Sequence, residues 1–77
     1  MRKKELSLII SFATTTEAMH MEKYCKQEQL EGRLIPIPRE ITAGCGLAWK
    51  TKPELQSMFI EKLNGQVAWE AMHVIEV

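Results

Sequence analysis

Two side chains in this sequence are equipped for covalent chemistry, Cys25 and Cys45, and their sequence settings differ. Cys45 lies between glycines, in Gly44-Cys45-Gly46. Flanking glycines let the backbone pass close to a bound group and leave a thiol sterically open, a setting that a core cysteine does not need. The thiolate is the nucleophilic form, and thiolates beside a helix start or a cation have pKa values lowered to ~3.5–7.5. Cys45 is therefore expected to be an exposed, partly ionised nucleophile, with Arg39 as a positive neighbour and Glu40 read first as the partner of Arg39. The competing reading is a tight entry into a strand around a small buried side chain, because free cysteine is among the most often buried residue types. Cys25 falls in line with Ala18 and Met21 at helical spacing, which assigns it to a core.

Other chemistries find less support. A closed zinc site needs four ligands and usually a close cysteine pair, and His20, His73 and two scattered cysteines do not supply one. His20 reads as a solvated position on a helix flank, and His73 as an exposed or hydrogen-bonded position in a strand. Met21, Met58 and Met72 read as core filler. No glycine-rich phosphate loop, Ser-His-Asp order or carboxylate pair is present, so neither a metal nor another cofactor is expected. Ten Lys+Arg balance ten Asp+Glu, so there is no basic field to hold nucleic acid or an anionic membrane.

The length of 77 residues, with 45% hydrophobic and 26% charged, suits one small globular domain over residues 1–77. Met1-Arg2-Lys3-Lys4 ahead of the apolar stretch from Leu6 to Ala13 loosely imitates a secretion signal. Glu5, the serines within the run and the lack of a cleavage site argue for a buried strand instead. No stretch approaches the ~20 apolar residues of a membrane-spanning helix. Two cysteines are too few for the disulfide framework of a small secreted domain, which predicts free thiols and a cytoplasmic location.

The elements that must position Cys45 follow from periodicity and punctuation. Leu6 to Phe12 is a nearly continuous apolar run, suited to a central strand. Thr14-Thr15-Thr16-Glu17 carries a capping-box signal, and a helix is predicted from there to about Leu30, stopped by Gly32. Arg33 to Ile37 is the second strand, confined to an edge by its prolines. Pro38 to Cys45 is a structured loop, and Gly46 to Lys50 the third strand. Thr51-Lys52-Pro53-Glu54 repeats the capping-box signal for a second helix bearing Leu55, Met58, Phe59 and Leu63, which ends at Asn64-Gly65. Val67 to Val77 is the fourth strand, with room for a bulge near Ala71 to His73. The order βαββαβ predicts an α+β, ferredoxin-like sandwich: a four-stranded antiparallel sheet with two helices on one face. In the strand order 4-1-3-2, Cys45 falls near the start of the first helix, whose amides at Thr15 and Thr16 and whose dipole favour an anion.

Arg33-Leu34-Ile35-Pro36-x-Pro38-Arg39-Glu40-Ile41-x-x-Gly44-Cys45-Gly46-Leu47-Ala48, preceded by Phe12, Thr15 and Ala18 in a Phe-x-x-Thr-x-x-Ala segment and by Glu22-Lys23, resembles the small bacterial family of selenium/sulfur (Se/S) carrier protein-like chains, formerly a domain of unknown function. The resemblance runs from Leu8 to Lys50. It implies that Cys45 holds sulfur or selenium as a persulfide or selenopersulfide, with Pro36, Pro38, Arg39 and Gly46 matching the motif around it. The prolines precede the cysteine here, unlike the sulfur-relay carriers whose cysteine opens a helix in a Cys-Pro-x-Pro motif.

The expected function is that of a small thiol carrier, a substrate-like protein rather than an enzyme with its own turnover. Its implied partners are protein donors, such as a cysteine desulfurase, and protein acceptors. The alternative is a non-catalytic interaction or regulatory module, possible as a homodimer through strand edges, with the Cys45 loop as a docking surface. Thiol redox sensing is disfavoured by the lack of a resolving cysteine.

Overall fold

Leu6–Ser11 forms β1 in a computed structural model that describes residues 5–41 and 45–77. Five successive residues of β1 are buried, Ser7 to Ser11, so this strand is covered on both faces. That is why its sequence is a nearly continuous apolar run and does not alternate.

The helix α1, Thr15–Glu28, starts on the expected cap. The Thr14 hydroxyl accepts from the Glu17 amide at 3.2 Å, and the Glu17 carboxylate accepts from the Ala13 amide at 3.2 Å. The carboxylate thus reaches one residue further back than in the usual box, so the hydroxyl satisfies one free donor of the helix start and the carboxylate the amide just before the cap. At the other end the helix stops earlier than Gly32. Gln29 takes the left-handed conformation at φ 56°, and the amides of Gln29 and Leu30 both close on the Cys25 carbonyl. Gly32, at φ 127°, serves a different purpose. A Cβ there would collide with the Trp49 indole nitrogen and lie 2.6 Å from the Lys50 carbonyl, so the glycine lets the chain cross Trp49.

The second strand, β2, spans Arg33–Pro36, and β3 spans Leu47–Thr51. The sheet order is β2-β3-β1-β4 with every neighbouring pair antiparallel, which puts β2 at an edge as Pro36 requires. The fourth strand, β4, is Ala71–Glu76.

The second capping-box expectation is overturned. Thr51 is the last residue of β3, paired with Leu8, and its buried hydroxyl has no hydrogen-bond partner. Pairing with β1 holds the side chain in the sheet, away from the following amides. A 3-10 turn at Pro53–Leu55 then leads, without a side-chain cap, into α2 at Gln56–Leu63. Gly65 follows at φ 76°, a conformation that glycine adopts freely.

Strand β4 also differs from expectation. Val67 is buried and Trp69 half-buried against the core, but neither is in a strand. The Val67 amide bonds back to the Leu63 carbonyl, and pairing begins only when the Glu70 amide reaches the Ser11 carbonyl at 2.7 Å. From Ser11↔Ala71 to Leu6↔Glu76 the register is unbroken, so no bulge interrupts Ala71 to His73.

The core lies between the sheet and the helices. It is built from Leu8, Ile10 and Phe12 of the first strand segment, Ala18, Met21 and Cys25 of α1, Trp49 of β3, and Phe59 and Leu63 of α2. Each fully buried large apolar side chain contributes ~1.5–3 kcal/mol. The Tyr24 hydroxyl donates to the Lys62 carbonyl at 3.0 Å and fixes the two helices side by side. A second, smaller cluster forms on the opposite face, where Ile41 from the segment after β2 packs with Ile9 and Ala48, flanked by Ile35, Ile37, Ile75 and Val77. That segment turns at Pro38–Ile41, with the Ile41 amide bonding to the Pro38 carbonyl at 3.0 Å.

Candidate functional site

Cys45 sits two residues ahead of β3, and the hydrogen-bond alternation of the sheet decides what its sulfur meets. The Ile37 amide donates to the Gly46 carbonyl at 2.9 Å, so residue 46 turns its backbone toward β2. Alternation then turns the backbone of Leu47 toward β1. The β1–β3 ladder ends one pair earlier, at Ser11↔Ala48. The Leu47 donor and acceptor therefore lie beyond the last strand pair, and both close on Cys45: the Leu47 amide donates to Sγ and the thiol donates to the Leu47 carbonyl, each at 3.4 Å.

Cys45 itself is half-buried and packs against the helix-side core. Gly46 is exposed at φ 75° with open space where a Cβ would stand, so its requirement is conformational rather than steric.

The start of α1 lies at this same end of the sheet, where the chain leaves Phe12. The cap uses the amides of Ala13 and Glu17 and not those of Thr15 and Thr16, whose side chains are exposed. Pro38 is half-buried and Arg39 exposed, in the turn that Ile41 anchors to the sheet face away from the helices. The loop carrying Arg39 and the sulfur of Cys45 are thus secured on opposite faces of the sheet. Among the described residues the ion pairs are Lys52–Glu31 at 3.1 Å and Lys62–Glu28 at 3.7 Å, so Glu40 does not pair with Arg39 as expected. Gly44 lies outside the described residues.

The second cysteine has the opposite environment. Cys25 is buried on the inward face of α1, and burial pushes its thiol up to about 12. The two thiols are free, and they occupy different positions along α1's length: Cys25 lies in its C-terminal half and Cys45 at the end of the sheet where α1 starts. His20 is exposed on α1 as expected. His73 is neither exposed nor satisfied: it stands opposite Ile9 on the sheet face away from the helices, half-buried, and its Nδ1 is buried without a partner. Among the described residues no three His, Cys, Asp or Glu side chains converge as metal ligands. No described helix is long and apolar enough to cross a membrane.

Sequence reasoning missed the Leu47 backbone, because its role depends on where two ladders end. The only available signal was Pro36: a proline in a strand must turn its missing donor outward, which sets the phase of the opposing residue. No curated protein and no solved structure matches the chain. The family model described as "Putative Se/S carrier protein-like" matches residues 7–74, from β1 through most of β4 with Cys45 inside the match, and the chain belongs to that family.

Proposed function

We propose that this protein carries sulfur or selenium between enzymes as a persulfide or selenopersulfide on Cys45. The observation that carries the reading is the contrast between the two thiols: Cys45 is half-buried with a backbone amide directed at its sulfur, while Cys25 is sealed in the core and held protonated.

In the loading step the Cys45 thiolate attacks the terminal sulfur of a donor persulfide. The donor S–S bond breaks, a new S–S bond forms on Cys45, and the donor leaves as a thiolate. The transferred sulfur keeps its oxidation state, so neither oxidant nor reductant is consumed. Unloading repeats the exchange, with an acceptor thiolate attacking the outer sulfur and Cys45 leaving as a thiolate. Selenium follows the same balance with a selenopersulfide donor.

In this reading the Leu47 amide and the Thr15 and Thr16 amides at the start of α1 favour the anionic cargo. Gly46 and Pro38 shape the described backbone on either side of the cargo-bearing cysteine. Arg39 is assigned to docking an acidic partner surface, because its turn is anchored on the face away from the sulfur. The family description supports protein partners, and a desulfurase-like donor is our proposal.

Incubation with a cysteine desulfurase and cysteine or selenocysteine, followed by intact mass under non-reducing conditions, tests the reading. It predicts an added mass of one sulfur or one selenium atom on the wild type and on Cys25→Ser, and none on Cys45→Ser. Absence of an adduct on the wild type, with the desulfurase shown to be active, would count against a carrier role. It would leave the docking-module alternative, in which Cys45→Ser keeps partner binding intact.

A further inference from the structure

The two edges of the sheet are not equivalent. Strand β2 is four residues long, opens on Arg33 and closes on Pro36, so it is short and blunted in the ways that discourage pairing. Strand β4 is six residues long, contains neither proline nor lysine, and keeps an unbroken register against β1. Among the described residues nothing covers its outer side, because the sheet order ends there.

The phase of that edge can be read from its far end. Glu5 and Val77 exchange both backbone hydrogen bonds at 3.1 Å, so this pair is of the hydrogen-bonded kind. Alternation makes Ile75, His73 and Ala71 bond inward to β1 and turns the N–H and C=O groups of Met72, Val74 and Glu76 outward. Val74 is 40% exposed, and it shares the helix-side face with Leu6, which is 57% exposed. Ile60 of α2 is 46% exposed and two residues from Lys62, the residue that meets α1, so it lies on the opposite flank of its helix. The right-handed crossover from β3 to β4 carries that flank toward β4. An open hydrogen-bonding edge and an apolar strip therefore run side by side.

We propose that this edge pairs with the β4 edge of a second copy about a two-fold axis at Val74, giving one sheet continuous through both subunits. Centred there, Val74 faces its counterpart and Met72 faces Glu76 in both directions, so every outward donor and acceptor of the strand is used. Moving the axis to His73 would set Glu76 against Glu70, which lies outside β4 and gives its amide inward to the Ser11 carbonyl, so that register leaves the outward groups of Glu76 unpaired. The blunted β2 edge prevents head-to-tail addition, so the assembly closes at two copies. Between the two copies of β3 lie five strand spacings, ~24 Å, which keeps both Cys45 thiols apart and outside the interface.

The proposal is independent of what Cys45 carries, and its test uses the full chain in reducing buffer and light scattering after size exclusion. The wild type and Cys45→Ser are expected at twice the 8.9 kDa chain mass, and Val74→Lys at the single-chain mass with an unchanged circular dichroism spectrum. Val74→Cys in the Cys45→Ser background is expected to give a disulfide-linked dimer on mild oxidation. Met72→Cys in the same background is not, because the register offsets the two copies of residue 72 by ~13 Å, beyond disulfide reach. A wild type that stays at single-chain mass at every concentration overturns the proposal. So does a dimer that survives Val74→Lys, or one that cross-links through Met72→Cys and not through Val74→Cys.

Discussion

The backbone of Leu47 meets the sulfur of Cys45 with both its amide and its carbonyl, at 3.4 Å each. Leu47 is the first residue of β3 and lies one position before the last β1–β3 pair, Ser11↔Ala48, so the thiol meets the backbone at the end of that ladder.

Thiol accessibility follows from the contrast with Cys25. Under native conditions iodoacetamide is expected to label Cys45 and to leave Cys25 unmodified until denaturant is added, as peptide mass mapping would read. Native labelling of Cys25 at a comparable rate would show that the inward face of α1 opens readily.

The buried thiol also sets an alkaline limit. Cys25 ionises near 9.0 when unfolded and at about 12 in the native protein, because burial penalises its charged form. The native state therefore holds a proton that the unfolded state releases, and stability contributed by this group is full below pH 9 and is lost as pH rises toward 12. The thermal midpoint of the wild type is expected to fall over that window more steeply than that of Cys25→Ala. Parallel curves would mean that Cys25 titrates in the native protein as it does in the unfolded chain.

Gly32→Ala tests the close crossing of Trp49. The added methyl meets the indole nitrogen and the Lys50 carbonyl at a φ that side chains rarely adopt, so a loss of ~2–4 kcal/mol is expected from combined backbone strain and overpacking. Urea denaturation followed by tryptophan fluorescence measures it, and the native emission should shift, since Trp49 also donates to the Glu31 carbonyl at 3.3 Å.

Ile41→Ala removes the residue that fastens the segment after β2 to the outer sheet face. Ile41 is buried against Ile9 and Ala48, and truncation of such a side chain costs ~2–4 kcal/mol. A chemical denaturation midpoint unchanged from wild type would show that this segment is not anchored there.

Thr14→Ala is expected to cost ~1 kcal/mol, the usual loss on removing an N-cap hydroxyl. The same urea titration applies, and an equal loss from Thr16→Ala would place the cap elsewhere.

Local signals in the sequence were read well where the physics is itself local. A threonine three residues before a glutamate made the cap of α1, because both partners lie within one helical turn. The same pattern at Thr51 and Glu54 failed because Thr51 was already committed to a pair with Leu8, more than forty positions away in the chain. Gly32 reads from the sequence as the stop of α1, but the helix ends at Gln29 and the glycine serves the crossing of Trp49. His73 reads from the sequence as exposed or hydrogen-bonded and is neither, since its burial depends on the sheet face it occupies beside Ile9.

By itself the sequence determined the order of the elements, the central place of the apolar run in β1, the edge position of β2, the inward face of α1 with Cys25 on it, and the family to which the chain belongs. These rest on periodicity, on proline's missing donor and on motif spacing, all properties of neighbouring residues. Tertiary structure alone decided that Leu47 addresses the Cys45 sulfur, that Ile41 fastens the segment after β2 to the outer face, and that β4 starts only at Ala71 with its outward groups on Met72, Val74 and Glu76. Each of these depends on where a ladder between distant segments begins and ends, and the phase of a ladder is set by pairing across the fold, which no local pattern encodes.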